Sequence, residues 1–240
     1  PHTGIYRVQV LRDDNRVVRL STDSKTKRIA CADFLARRFA DASRRICGTR
    51  HGTGYGGIIT IDAPGQAILE RSSVVITQRM IEVRCFVGLP AMGRRILADV
   101  AARMLLDALP DIVDRCLLDR NADYEALNGH IAAAEDAEYL RHALGEHGLV
   151  AFIADHSILP RESGTSDKPL DTAAVPFLAP ESLAHEFTLP HGGAIRGMGI
   201  ARGITLITGG GYHGKSTLLS ALETGIYNHI PGDGRERCVS

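Results

Sequence analysis

The segment GITLITGGGYHGKSTLL, residues 203–219, constrains the fold of this chain more than any other stretch. An apolar, β-branched run (ITLIT) leads into three consecutive glycines, and the helix-forming run STLLSALE follows a Gly-Lys pair. The spacing G-x-x-x-x-G-K-[ST] is met by Gly209, Gly214, Lys215 and Ser216. It predicts a strand, a glycine-rich turn and a helix in that order, which is the arrangement of a phosphate-binding loop.

Each residue type has a chemical reason. Gly209, Gly210 and Gly211 let the backbone take positive φ and approach a phosphate without a Cβ in the way, while successive N–H groups point into the concavity. The helix that begins near Gly214 adds the positive end of its dipole. Lys215 supplies a point charge for the β and γ phosphates and is the candidate catalytic residue. The Ser216 hydroxyl is placed to join a Mg²⁺ shell, and Thr217 falls within reach of the α-phosphate. Tyr212 and His213 occupy the variable positions of the loop and carry no catalytic role. The expected ligands are therefore ATP or ADP with Mg²⁺. Only 24 residues follow Ser216, and none forms an apolar strand ending in Asp or Glu that could hold the metal. Asp233 and Glu236 sit in a turn-like, charged stretch and read either as surface residues or as supports one layer behind a site.

The other features bound the class. With 44% hydrophobic and 23% charged residues, the chain has the balance of a folded globular protein. Its apolar runs all stop short of the roughly 20 residues that span a bilayer, so no transmembrane helix is expected and no membrane partner is assigned. The first residues, PHTGIYRVQV, contain neither an initiator Met nor a basic-then-apolar leader, so the gene is expected to start upstream. Five cysteines, an odd count with no C-x-x-C pair, suit reduced thiols in an intracellular, reducing compartment. Net charge is zero, yet residues 1–50 hold twelve Lys/Arg against five Asp/Glu, and residues 111–190 hold five against fifteen. A basic segment beside an acidic one either binds a polyanion or lets two parts of one protein attract each other.

Periodicity predicts an amphipathic helix over 29–46, with Leu35, Phe39, Ala42 and Ile46 on one face and Arg37, Arg38, Arg44 and Arg45 on the other. GTRHGTGYGG reads as a flexible connection. Strands are expected in GIITID, VVITQ, MIEVRCFVGL and LVAFIA, and helices over 91–109 and about 122–144. The fold class is thus α/β, with a mixed α/β N-terminal domain over 1–160. Residues 161–182, rich in Pro, Ser and Asp, read as a surface loop and boundary. The segment 183–240 carries the phosphate loop.

The stretch 197–236, GMGIARGITLITGGGYHGKSTLLSALETGIYNHIPGDGRE, resembles one family, the predicted ATPases of the ABC class. GQAILERSSV (65–74), VGLPAMGRRI (87–96), AFIADHSILPRESGTSDKPL (151–170) and LAPESL (178–183) are similar to recurring stretches of the same family. The resemblance runs from about residue 30 to 240, with Ala201 standing where the family pattern has Pro. It implies an N-terminal α/β domain followed by the first part of an ABC-type ATPase core. The Q-loop, signature helix and Mg²⁺-binding Asp with its adjacent Glu would then lie beyond Ser240. It also implies that the complete protein is an ATP hydrolase working as a homodimer, with ATP sandwiched between protomers.

ABC cores stack adenine on an aromatic upstream of the loop, and Phe187, 28 residues before Lys215, is either that aromatic or a core strand residue. Members of the family are linked to mitochondrial RNA metabolism, which implies RNA as a partner and the cytoplasm or mitochondrial matrix as the compartment. Two other readings stand beside the ATPase: a nucleotide-gated RNA-binding or scaffolding module without significant turnover, and a small-molecule kinase with Arg235 and Arg237 in its lid.

Overall fold

The structure, a computed structural model, describes residues 3–11, 16–21, 23–52, 54–118, 123–170 and 174–240. In chain order its elements are β1 (Thr3–Leu11), α1 (Arg16–Ser21), α2 (Lys25–Cys47), β2 (Ile59–Thr60), β3 (Ala67–Ile68), β4 (Val74–Ile76), β5 (Met80–Gly88), β6 (Ala91–Met92) and β7 (Arg95–Ile96). There follow α3 (Ala98–Arg103), a π-helical turn (Met104–Ala108), α4 (Leu109–Leu117), α5 (Tyr124–Glu146) and β8 (Leu149–Ala154). After a 3-10 turn (Glu181–Leu183) come β9 (Ala184–Leu189), β10 (Gly193–Ala201), α6 (Lys215–Thr224), β11 (Asn228–His229) and β12 (Cys238–Val239). Mixed helices and sheets agree with the α/β class. The contacts divide the chain into two units, residues 1–64 with 70–127, and residues 65–69 with 128–240.

In the first unit, β5 is the central strand. It pairs antiparallel with β1, β2 and β4, and Ile81, Val83, Cys85 and Val87 alternate onto one face where all four are fully buried. The Ser24 side chain caps α2 by accepting the Lys27 N–H at 3.1 Å. Leu35 and Phe39 are buried as the periodicity predicts, and α2 packs on β2, β4, α1 and α4. Burying a side chain such as Phe39 stabilises by about 1.5–3 kcal/mol. The arginine face of α2 is largely engaged: Arg37 Nε donates to the buried Asp33 at 2.6 Å, Arg44 pairs with Asp41, and the Arg38 guanidinium lies over the Phe34 ring.

Two expectations change here. The helix predicted over 91–109 begins only at Ala98, because β6 and β7 form a tight hairpin around Gly93, whose φ is +62°. It then runs on past Pro110, and the widened π turn sits just before that proline, which has no N–H to give. GTRHGTGYGG is more ordered than a flexible link, since His51 N donates to Gly56 O at 2.8 Å and Gly57 N to Gly88 O at 2.7 Å.

The second unit is a sheet covered on both faces. Its strand order is β12-β8-β10-β9, all antiparallel. The two-residue period of β8 sends Phe152 and Ala154 towards Ala137, Leu140 and Leu144 of α5. The same period sends Ile153 towards Ala221, Leu218 and Leu222 of α6. Burial on both faces explains why LVAFIA is an unbroken apolar run. The helix expected over about 122–144 is observed as α5, residue 122 lying outside the described residues.

Candidate functional site

α6 is the element that positions the loop. Its first residue is Lys215, its N-cap is Gly214 in the left-handed region (φ +74°, ψ +6°), and no side chain caps it. With no acidic residue in its first turn, the N–H groups and the positive dipole end of α6 face outward without a counter-charge. Gly209, at φ +150°, makes the turn into the loop that only glycine adopts without strain. Tyr212 takes φ +62° although it carries a Cβ, and its side chain is fully exposed.

Lys215 Nζ donates to Gly209 O at 2.7 Å and also to Gly210 O. The predicted residues Gly209, Gly210, Gly214 and Lys215 are thus brought into one loop, with the cation folded over the carbonyls that flank the concavity. An arriving phosphate would replace those carbonyls as the partner of Nζ. Ser216 is exposed in the first turn of α6 and Thr217 is half-buried behind it. Ser216 is the side chain that would join the metal shell. Among the described residues no group of three or more His, Cys, Asp or Glu side chains forms a separate metal cluster.

The run ITLIT does not form the strand predicted for it. Residues 204–208 belong to none of the sheets, and Ile204 and Leu206 are exposed. A strand is defined by its ladder partner, and the four-stranded sheet of the second unit and its β3–β11 pair leave this segment out.

Phe187 lies in β9, 6% exposed, with its ring 5.0 Å from Phe152 and 4.7 Å from His147. It fills the position of a core strand residue. Asp233 is fully buried, which removes the surface reading and leaves the supporting one. Arg161 donates through Nη1 to Asp233 O and through Nη2 to Asp233 Oδ2, both at 2.8 Å, and His229 Nδ1 lies 2.9 Å from the same carboxylate. Burial pushes the Asp233 carboxyl up, but hydrogen bonds from His229 and Arg161 outweigh it, so its pKa lies below the ordinary carboxylate value.

Arg235 is 3% exposed and donates through Nε to Leu159 O at 2.9 Å, with Nη1 reaching Thr224 Oγ1 of α6 at 3.3 Å. A guanidinium fixed in this way is not a mobile lid group, which removes half of the arginine pair on which the kinase reading rests. The signal for this cluster was faint in sequence, since Arg161 and Asp233 are 72 residues apart.

Two family models match the chain. One, described as the N-terminal part of the ATPases of the ABC class, covers residues 4–120, and the other, an ABC ATPase P-loop domain, covers residues 123–240. The uncharacterized protein MJ1628 of Methanocaldococcus jannaschii is 40% identical over 110 residues, a stretch that makes up 43% of this chain and 25% of that protein. The chain therefore aligns with about a quarter of the length of that relative. No helix among the described residues is long and apolar enough to cross a membrane. With an N-terminal match and a P-loop match side by side along its length, the chain belongs to the family of ATPases of the ABC class.

Proposed function

We propose that the loop 209–214 and the first turn of α6 bind the phosphates of Mg-ATP or Mg-ADP, and that the complete protein hydrolyses ATP. The observation that carries this reading is the uncapped N-terminus of α6 with Lys215 folded into the glycine loop. Lys215 serves as the phosphate cation, Ser216 as the Mg²⁺ ligand and Thr217 as the α-phosphate contact, while Gly209, Gly210, Gly211, Tyr212, His213 and Gly214 supply the cradle. Coupling of ATP to homodimerisation follows from the sandwich chemistry of ABC-class sites. Five free, buried thiols suit a reducing intracellular compartment, the cytoplasm or mitochondrial matrix.

Action on RNA is the finer part of the proposal. It draws support from the basic residues 1–50; the hollow of about 540 Å³ in the first unit that Arg38, Arg45 and Arg115 line also carries Asp41 and Asp123, so it adds no separate support. If ATP only sets the conformation of an RNA-binding module, RNA affinity will change with ATP at fixed salt while turnover stays negligible.

Lys215→Ala tests the core of the reading. Calorimetric titration with Mg-ATP should show binding weakened at least about tenfold, in line with loss of one charge-assisted contact. Unchanged affinity in that variant would rule the loop out as the phosphate site.

A further inference from the structure

Beside the loop, the second unit has an open cavity of about 720 Å³, within the range of small-molecule sites. Ser216 and Thr217 form one end of it, so it begins where the phosphates would end. Its floor follows one face of α6 through Ser220 to Thr224, about 12 Å from Ser216 at 1.5 Å per residue. Tyr227, which is half-exposed, also lines it.

The outer wall is the loop 161–167, and it is built rather than loose. Arg161 and Pro169 form an antiparallel bridge, Glu162 N donates to Lys168 O at 3.0 Å, and Leu170 N donates to Pro160 O at 3.1 Å. The root of the loop is anchored by the Arg161–Asp233 ion pair. Its far side is anchored by Asp167, whose Oδ2 accepts the Gln66 N–H at 2.9 Å. That carboxylate packs so closely on Gly65 that a Cβ there would overlap it.

The lining is polar without offering free charge for a second polyphosphate. Arg161 is spent on Asp233, and Arg235 on Leu159 O and the α6 hydroxyls. What remains are the Gln66 carboxamide, the ring of Tyr227 and the remaining lone pairs of Ser163, Thr165 and Ser166, whose hydroxyls are pre-oriented by bonds to one another and to Glu162, beside the Asp167 carboxylate and His229. These are groups that hydrogen-bond the edge of a base or the hydroxyls of a sugar, with an aromatic face for stacking. Phe187, the other aromatic considered for that stack, has its ring committed to Phe152 and His147.

Resting on the phosphate-loop reading above, we infer that this cavity holds the nucleoside of the bound nucleotide. Ribose and base lie against the loop 161–167, and Tyr227 stacks on the base.

The test compares Mg-ATP with Mg-tripolyphosphate, which has the phosphates and no nucleoside, by calorimetric titration of the protein and three variants. The unsubstituted protein should bind ATP at least about tenfold more tightly than tripolyphosphate, the lower range of a base–aromatic stack. Tyr227→Ala and Thr165→Trp, both at exposed or half-exposed positions, should remove most of that difference and leave tripolyphosphate affinity unchanged. Lys215→Ala should weaken both ligands together. A thermal melt of each variant confirms that the fold is retained.

Equal affinity for ATP and tripolyphosphate in the unsubstituted protein, or ATP affinity unmoved by both cavity variants, would overturn the inference while leaving the phosphate loop standing. If neither ligand binds, the phosphate-loop reading falls and the nucleoside pocket with it.

Discussion

The loop 203–214 and the turn 229–235 flank the same helix and are built in opposite ways. The loop has apolar Ile204 and Leu206 in solvent and Tyr212 in the left-handed region, and Lys215, the residue of α6 that follows it, bonds back to the loop's carbonyls. The turn hides a carboxylate and an arginine completely, ties them to residues 159 and 161, and closes against α6. The lysine bonds to backbone carbonyls of its own loop, whereas the charged groups of the turn are spent on one another and on distant protein partners. α6 stands between the two, open at its N-terminus and braced along its side.

That contrast can be broken most severely at Asp233. Asp233→Ala leaves the largely covered Arg161 guanidinium without its counter-charge and should cost about 3–5 kcal/mol of stability, read by urea denaturation. A loss below about 1 kcal/mol would mean that the cluster is not the brace described. Acid acts on the same group. Its pKa is depressed in the folded protein, so its contribution is present above the unfolded value near about pH 4 and is lost as pH falls from there through the folded value. The variant should show a shallower decline in that acid window than the unsubstituted protein.

On the loop side the expected effect is smaller and of opposite sign. Tyr212→Gly relieves a left-handed residue and should leave stability unchanged or raise it by about 1 kcal/mol. A clear destabilisation in a thermal melt would show that the exposed ring has a packing role.

Much of the fold was legible because it depends on local period. α2 and α5 follow from helical spacing, and β8 from an apolar run buried on both faces. β1 carries an equally readable alternation, Tyr6, Val8 and Val10 against Arg7 and Gln9, set within a basic segment that masks it. The start of the helix near residue 91 was misplaced because the turn at Gly93 leaves only one glycine as its trace.

At the candidate site, the motif singles out Gly209, Gly214, Lys215 and Ser216 because its residues lie within eight positions of the chain. The supports around it were hidden. Arg161 meets Asp233 across 72 residues, and Asp167 meets Gln66 across 101, so no window along the chain contains both partners. The run 204–208 shows the converse: strong β propensity without a ladder partner does not make a strand.

The most direct test of the central claim is amide hydrogen exchange with and without Mg-ATP, followed residue by residue. The account predicts that protection on adding nucleotide concentrates in 209–217, where the uncapped N–H groups gain phosphate acceptors, with little change in 229–235, which is already tied down. Protection that falls elsewhere and leaves 209–217 exchanging as before would contradict it.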